Sequence, residues 1–509
     1  MKLMIDNQFV TLAELRATWH GGVTVSLGDD ARVRIAEANE FIEDTVAHGD
    51  TVYGVNTGFG QMAEVRVSDD ELVHLQENLV RSHAVGVGED LEDEIVRLIM
   101  LMKVVALAEG FSGVRLELVE ALCELINKEI YPRIPSRGSV GASGDLAPLA
   151  HMAGALIGIG EVRVNGNLVP AAIALREAGL EPIRLAPKEG LALLNGTQVS
   201  TALALAAVFR TENVLAASLM AGAMSSDAIK GSDTPFDKRI QIVRGHRGQI
   251  AVAGVLRELM HGSDIRASHR KCDRVQDPYS IRCQPQVVGA CLDVLSHVCS
   301  VLQTEANAVT DNPLVFVESH SVLSGGNFHA EPVALAADYL ALAIAEIGAL
   351  SERRIALLID SHLSGLPAFL VEESGLNSGF MMAQVTAAAL ASENKSHAHP
   401  ASVDSIPTSA NQEDHVSMST FAARRLHTML DNVADIIAIE LLAAAQGIDF
   451  HHPQKSSPAI EDVITALREI SPRYVEDRSL SSDFRRVAAT IDDGNYCQYA
   501  ESILPSLRT

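Results

Sequence analysis

The chain has 509 residues, and its 40 Lys and Arg against 65 Asp and Glu give a formal net charge of −25 at pH 7. A surface this acidic argues against nucleic acid and anionic membranes as partners, because both carry negative charge. A chain of this length can bury a large core, and we expect either two packed subregions or one elongated helical domain.

The N-terminal segment, residues 1–15, carries Asp6 and Glu14 and lacks a basic region followed by an apolar run. It predicts neither a secretory signal nor a transit peptide, so we expect a cytoplasmic protein. The long apolar stretches are bounded or interrupted by charged residues such as Arg210 and Asp338, which favours buried helices over membrane spans. The six cysteines have irregular spacing and no C-x-x-C pair, which is typical of reduced thiols.

Two histidine pairs could suggest a metal site. They are His397 with His399 and His451 with His452. No acidic or cysteine partner recurs near them at the spacing of metal ligands, so we expect solvated loop histidines and no metal.

In chain order, most predicted elements are helices, because apolar residues recur at three- and four-residue steps. These segments are 93–109, 114–129, 197–223, 285–305, the stretch from about 330 onward, 378–393 and 416–445. A short hairpin is predicted at 161–169, around the turn-like Asn165-Gly166. We therefore predict a mainly all-α protein, an elongated bundle of long antiparallel helices over residues 111–509. A smaller mixed N-terminal region, residues 1–110, would carry active-site loops and the substrate-selectivity segment.

Polar, glycine-punctuated segments separate these helices, and in a helical protein such loops are where chemistry is expected. They are residues 53–60, 137–149, 195–198, 273–286, 324–332 and 405–415.

The segment 137–149 has glycines at 138, 141 and 144 but neither of the glycine spacings that bind nucleotides. Two interpretations remain open. One is a flexible turn in which Asp145 caps the next helix. The other is self-processing, in which the Gly144 nitrogen, unhindered by a Cβ, attacks the Ala142 carbonyl carbon and Ser143 loses its hydroxyl as water.

The Ala-Ser-Gly-Asp sequence at 142–145 resembles the motif of the aromatic amino-acid ammonia-lyase and aminomutase family. Five further segments match that family between Tyr53 and His415. The resemblance implies an electrophilic 4-methylideneimidazole-5-one (MIO) group formed from Ala142, Ser143 and Gly144, with no metal or nucleotide required. Such a group answers a chemical need, since no ordinary side chain is a strong electrophile.

The same resemblance implies roles for residues on the other loops. Tyr53 would take the β-proton, and Asn195 would hydrogen-bond the MIO group and the substrate. Tyr279 would lie near the cofactor, and Phe328 would pack beside it. Gln276 and Arg282 would bind substrate, and a guanidinium fork suits a carboxylate. In the family the 276–285 segment comes from a neighbouring subunit, which implies a homotetramer with shared active sites.

Two positions distinguish substrates within the family. Ser82 and His83 resemble the selectivity pair of the histidine lyases, and Glu413 stands where these enzymes carry a glutamate. A polar pair and a carboxylate can hydrogen-bond an imidazole, whereas they would find no partner in a hydrocarbon ring. The resemblance thus implies elimination of ammonia from L-histidine to give trans-urocanate, the first step of histidine degradation. Attack on the MIO group by the amine and attack by the ring both stay open.

Three alternatives belong to other classes or branches. A tyrosine or phenylalanine ammonia-lyase, or an aminomutase, would share the motif but differ at the selectivity positions. A fumarase-like lyase would share helical architecture and leave residues 142–144 uncyclised. A non-catalytic helical scaffold would give no reason to keep Tyr53, Asn195, Arg282 and Glu413 together.

Overall fold

The structure is a computed structural model that describes residues 1–48, 54–57, 67–68, 71–269 and 275–508. Helices predominate in these ranges, and the strands are two to four residues long. The prediction of a mainly all-α protein is therefore confirmed.

The helices of the N-terminal part of the described chain are α1 (Leu12–His20), α2 (Asp29–Ala47), α3 (Leu72–His83), α4 (Asp93–Ala108), α5 (Leu116–Asn127), α6 (Leu146–Leu156), α7 (Ala171–Glu177) and α8 (Glu189–Leu194). Those that follow are α9 (Gln198–Ala228), α10 (Lys238–Arg244), α11 (Arg247–Leu259), α12 (Asp264–Ser268), α13 (Tyr279–Arg282), α14 (Gln284–Ala306), α15 (Glu331–Ile359), α16 (Ser361–Ser364), α17 (Met381–His397), α18 (Ser419–Asp449), α19 (Pro458–Ile470) and α20 (Ser481–Asp492).

The strands form small separate sheets. They are β1 (Lys2–Ile5), β2 (Thr24–Leu27), β3 (Val87–Asp90), β4 (Tyr131–Pro132), β5 (Pro135–Arg137), β6 (Glu161–Val164), β7 (Asn167–Pro170), β8 (Leu314–Phe316) and β9 (Ser321–Leu323). β1 pairs with β2 in parallel, and the other pairs, β3 with β5, β4 with β6, β6 with β7 and β8 with β9, are antiparallel. The predicted hairpin is confirmed as β6–β7, whose turn residues Asn165 and Gly166 have positive φ of 50° and 75°.

Helix boundaries differ from the predicted segments where polar groups find tertiary partners. α9 extends five residues past the predicted end at 223. Its last turn contains Ser225 and Ser226, and both are buried because Glu440 and the Gly222 carbonyl accept hydrogen bonds from their hydroxyls. Serine is a weak helix former in isolation, but here its hydroxyl is satisfied without leaving the helix.

α17 starts three residues later than predicted, at Met381. The backbone N–H groups of Ser378 and Gly379 donate to the carboxylate of Asp477 at 2.8 and 2.9 Å. These long-range bonds hold the preceding residues outside the helix, and no local pattern indicates them.

The chain divides into two compact units, each assembled from three separate stretches. Unit 1 consists of Met1–Ala206, Cys299–Asp338 and Pro400–Arg424. Unit 2 consists of Ala207–Val298, Tyr339–His399 and Arg425–Thr509. The boundary expected between residues 110 and 111 falls inside unit 1, because contacts group segments that are far apart in the sequence.

Among the residues that the structure describes, three helices are long and apolar enough to cross a membrane by length and composition alone, namely α9, α14 and α15. Their most apolar windows are 94%, 44% and 72% buried within the protein. In α15, Val333, Leu340 and Ile344 are buried, whereas Leu335 and Leu342 are 56% and 52% exposed. α15 therefore has a second apolar face that the chain itself does not cover.

Candidate active site

A tight turn between β5 and α6 holds the predicted self-processing segment. Ala142 and Gly144 are buried, and Ser143 between them is half-buried. Gly144 has a left-handed backbone with φ of +72°, and a Cβ added there would lie 2.3 Å from the carbonyl oxygen of Gly196. The backbone N–H of Asp145 donates to that same carbonyl at 2.8 Å. Glycine is the residue that fits at position 144. Because it has no Cβ, its backbone nitrogen is less hindered for ring closure.

Asp145 braces this turn from the interior. Its Oδ1 accepts hydrogen bonds from Ser139 and Thr420, each at 2.7 Å, and its Oδ2 accepts from the amide and hydroxyl of Ser200 at 2.8 and 2.9 Å. The side chain makes no capping bond to α6. Asp145 therefore occupies the predicted N-cap position of α6, but its carboxylate does not cap the helix because four other donors occupy its lone pairs.

Asn195 follows the last turn of α8, and its amide reaches the turn that contains Ser143. Asn195 Nδ2 donates to the Ser143 carbonyl oxygen at 2.8 Å. Its Oδ1 is buried and has no hydrogen-bond partner among the described residues. A buried acceptor without a donor is costly, so this oxygen is available for a ligand group.

Glu413 lies on the other side of the Ser143 side chain. The Ser143 hydroxyl donates a short hydrogen bond to Glu413 Oε1. Thr408 and Ser409 donate to Glu413 Oε2 at 2.5 and 3.0 Å, which fixes the carboxylate. The nearby backbone is strained, since Ser409 and Ala410 have positive φ of 48° and 51°.

Ser82 and His83 form the C-terminal end of α3. The Ser82 hydroxyl donates to the Leu79 carbonyl at 3.2 Å, and His83 Nδ1 lies 2.9 Å from the same oxygen. A proton on Nδ1 satisfies that carbonyl and leaves Nε2 with its lone pair. Burial lowers the pKa of His83, while the Leu79 carbonyl and the charge of Glu413 act in the opposite direction. The neutral ring can thus accept a hydrogen bond at neutral pH.

Phe328 is half-buried in the segment after β9, and the residue that follows it joins a group of titratable side chains. His329 and His415 stack with ring centroids 5.7 Å apart, and His329, Glu331 and His415 offer ligand atoms within 4.8 Å of one another. The sequence analysis did not single out this group, because His329 and His415 are 86 positions apart in the chain. The expectation that no metal is needed stays a prediction.

Three of the predicted site residues lie in unit 2. Gln276 is exposed, Tyr279 is 70% exposed, and Arg282 is half-buried at the end of α13. The Arg282 guanidinium carbon lies 4.4 Å from the centre of the Tyr279 ring, and Arg282 Nε has no hydrogen-bond partner among the described residues. Tyr53 lies outside the described residues.

Lys103 is a residue that the sequence analysis missed. It is 1% exposed on α4, and its ammonium group donates to the carbonyl oxygens of Ala192 and Asn195 at 3.1 and 2.8 Å. Burial lowers its pKa to about 7. The signal was one charged residue inside the apolar run Leu-Ile-Met-Leu-Met-Lys-Val-Val-Ala-Leu-Ala.

In unit 1, the structure therefore places Ser143 in hydrogen-bond contact with both Asn195 and Glu413. His83 is close enough for the charge of Glu413 to raise its pKa. The serine hydroxyl that dehydration would remove faces a carboxylate, and the carbonyl of the same residue faces an amide donor. This arrangement suits proton transfer and the stabilisation of charge on a carbonyl oxygen.

Comparison with known proteins finds relatives that match nearly the whole chain. The family model described as "aromatic amino acid lyase" matches residues 10–469. A histidine ammonia-lyase from Vibrio cholerae is 57% identical over 492 residues, which is 96% of each chain. A histidine ammonia-lyase from Desulfotalea psychrophila is 55% identical over 506 residues, which is 99% of each chain.

Solved structures match over nearly the full length as well. The crystal structure of histidine ammonia-lyase from Trypanosoma cruzi is 43% identical with a TM-score of 0.91, and the match covers 99% of this chain and 96% of that one. Tyrosine aminomutase from Streptomyces globisporus is 36% identical with a TM-score of 0.93, covering 98% of each chain.

Proposed function

The chain belongs to the aromatic amino acid lyase family, and from that premise we propose that it eliminates ammonia from L-histidine to give trans-urocanate, the first step of histidine degradation. The relatives named above carry the substrate assignment. The observation that supports it in this chain is the contact between Ser143 and Glu413, together with His83 beside that carboxylate.

The residues around Ser143 fit an MIO group. Gly144 has no Cβ where one would collide with Gly196, and the buried Asn195 Oδ1 has no hydrogen-bond partner in the described part of the chain. Ring closure joins the Gly144 nitrogen to the Ala142 carbonyl carbon, and two waters leave in total, one of them carrying the Ser143 hydroxyl. In that dehydration the Ser143 Cα loses a proton, and the hydroxyl gains one as it leaves as water; Glu413, hydrogen-bonded to the hydroxyl, is placed to pass a proton to it. The chemistry that MIO supplies is an electrophile that makes an amine a better leaving group.

The chain's own residues then position the substrate. Arg282 binds the carboxylate through its guanidinium fork, assisted by Gln276. His83 Nε2 accepts the imidazole N–H, and Ser82 completes the polar pocket. Glu413 accepts from the ring or from the departing ammonium.

The remaining assignments follow the family resemblance. Tyr53 takes the β-proton, Tyr279 assists proton transfer or orientation, and Phe328 packs beside the cofactor. A phenol acts as a base only when it is deprotonated, so the pocket must favour the phenolate of Tyr53.

We also propose a cytoplasmic homotetramer with active sites shared between subunits. Support for association comes from α15, whose Leu335, Tyr339 and Leu342 are 56%, 45% and 52% exposed. Support for a reducing compartment comes from Cys123, Cys283 and Cys291, which form no disulfide with any residue that the structure describes.

The first test is a substrate panel. L-Histidine, L-tyrosine and L-phenylalanine are incubated separately with the purified protein, while near-ultraviolet absorbance and free ammonia are followed. We expect urocanate and ammonia from histidine alone, and an intact mass lower by two waters. Ser143→Ala should lose the activity and should not show the loss of two waters. Coumarate or cinnamate would assign a sister lyase, retained ammonia with a β-amino acid product would assign an aminomutase, and an unmodified mass would contradict the MIO proposal.

A further inference from the structure

Lys103 lies in the interior of unit 1, on α4, where it is the one charged residue between Leu98 and Ala108. α4 is buried from Ile95 to Ala108, and Lys103 is 1% exposed. A lysine in such a place costs free energy unless its amino group is hydrogen-bonded. Its two acceptors are the carbonyls of Ala192 and Asn195, at 3.1 and 2.8 Å.

We propose that Lys103 is a positioning residue for the proposed reaction, which holds the C-terminal end of α8 so that the Asn195 amide stays against the Ser143 carbonyl. The inference rests on the proposed function, since it concerns the same turn. It assigns to Lys103 no contact with substrate.

We call the two hydrogen bonds from Lys103 to the carbonyls of Ala192 and Asn195 the clamp, and the geometry of α8 explains why it is needed. α8 is six residues long, and the last carbonyls of any helix lack partners within the helix. Lys103 satisfies two of these groups, where a cationic donor is also favoured by the helix dipole. From the same residue, Asn195 Nδ2 donates to Ser143 at 2.8 Å. Fixing the Asn195 carbonyl therefore fixes the backbone from which its amide extends.

Burial and the charges around Lys103 bring the pKa of its amino group close to neutral pH. Burial is the largest effect and lowers its pKa, the carboxylates of Asp311 and Asp145 raise it, and the ammonium of Lys188 lowers it, with a result of about 7. A neutral amine keeps two N–H donors, which is the number that Ala192 and Asn195 accept. The clamp can thus persist in either protonation state.

The chain offers a matched control. Lys188 is equally buried and pairs with Asp311 at 2.7 Å, but its side chain makes no contact with Asn195 among the described bonds. Lys188 stands at the opposite, N-terminal end of α8, so replacing its side chain removes a buried cation there and leaves the two hydrogen bonds of Lys103 in place. A loss of activity that is specific to Lys103 then reports positioning rather than general damage to the core.

The experiment compares Lys103→Met, Lys103→Gln and Lys188→Met. Methionine and glutamine have nearly the same size, but only glutamine donates to a carbonyl. For each variant, intact mass gives the fraction of subunits that have lost two waters, and steady-state kinetics gives kcat per cyclised subunit and KM for histidine.

We expect Lys103→Met to lower kcat per cyclised subunit by about tenfold or more, since small displacements of catalytic groups are costly. KM should stay within about threefold, because the clamp does not hold the carboxylate or the ring. Lys103→Gln and Lys188→Met should both keep kcat within about threefold of the wild type.

The inference is overturned if Lys103→Met keeps the wild-type kcat and cyclised fraction, if the glutamine variant loses as much as the methionine variant, or if Lys188→Met loses as much as either. Should methionine prevent folding, the glutamine variant decides by the same threefold criterion. A wild-type protein that is two waters lighter but inactive on histidine would contradict the proposed function. The cyclised fractions of the variants would still test the clamp.

A second readout is independent of activity. Lys103 in the unfolded chain keeps its proton up to its ordinary pKa of 10.5, while in the folded protein the pKa is about 7. Between these values the unfolded state binds more protons, so Lys103 makes the free energy of unfolding rise with pH. Lys103→Met should flatten that rise in denaturant titrations between about pH 7 and pH 10. An unchanged slope would contradict the burial of the Lys103 amino group against α8, on which the proposal rests.

Discussion

At the scale of single residues, the carboxylate of Glu413 contacts two groups of side chains, one through each oxygen. One oxygen accepts from Ser143, and the other accepts from Thr408 and Ser409. Its charge also acts on His83, whose pKa it raises against the effect of burial. The same group can therefore serve the formation of the MIO group and the polarity of the substrate pocket.

Replacing Glu413 by glutamine should separate charge from shape. We expect Glu413→Gln to lower kcat/KM for histidine by about 10²–10⁴-fold, which is typical for the loss of an acid–base group. The neighbouring exposed Asp414→Asn is the matched control and should stay within about twofold. Steady-state kinetics with intact mass checks this, and equal losses in both variants would point to a general effect of charge.

At the scale of elements, the turn before α6 depends on how closely two backbones approach. Gly144 and Gly196 form a bridge, and the amide of Asp145 donates to the Gly196 carbonyl. The four donors to the Asp145 carboxylate come from Ser139, Ser200 and Thr420. The turn is thus held on both sides before any covalent change occurs in it.

Gly144→Ala tests this close approach against a control with the same backbone strain. Gly144 and Gly166 have φ of +72° and +75°, but a Cβ would meet Gly196 at 2.3 Å in the first case and nothing within 4 Å in the second. Each substitution costs about 1–2 kcal/mol for the left-handed backbone. We expect Gly144→Ala to lack the loss of two waters seen by mass spectrometry.

The control variant, Gly166→Ala, should retain cyclisation and activity with a modest drop in thermal midpoint. Complete cyclisation in Gly144→Ala would mean that the contact with Gly196 does not restrict position 144.

At the scale of the whole molecule, the residues that we propose for the reaction are divided between the two compact units. Ser143, Asn195 and Glu413 belong to unit 1, whereas Tyr279 and Arg282 belong to unit 2. The proposed homotetramer assigns the second group to a neighbouring subunit. This is a statement about subunits that mixing of variants can test.

Co-expression of Ser143→Ala with Arg282→Gln should restore activity that each variant lacks alone. In a shared site, a subunit with intact Ser143 meets a neighbour with intact Arg282, and random mixing gives about a quarter of the sites this composition. The control pair, Ser143→Ala with Asn195→Ala, should stay inactive because these residues contact each other within one subunit. Activity is compared per total protein, and no recovery in the first pair would indicate sites confined to one subunit.

The sequence by itself determined the helical class, most helix positions, the β6–β7 hairpin and the identity of the Ala142-Ser143-Gly144 segment. These features depend on local patterns, namely apolar periodicity, turn residues and a short motif. It also indicated Asn195, His83 and Glu413 through family resemblance, without the contacts that join them.

Only the tertiary structure decided which groups meet. The Ser143–Glu413 bond joins residues 270 positions apart, and the Lys103–Asn195 bond joins residues 92 positions apart. It likewise decided that the Asp145 side chain braces the turn instead of capping α6, and that contacts group three separate stretches into each unit. The physical reason is that burial and hydrogen bonding depend on distance in space, whereas periodicity reports only the neighbours along one helix or strand.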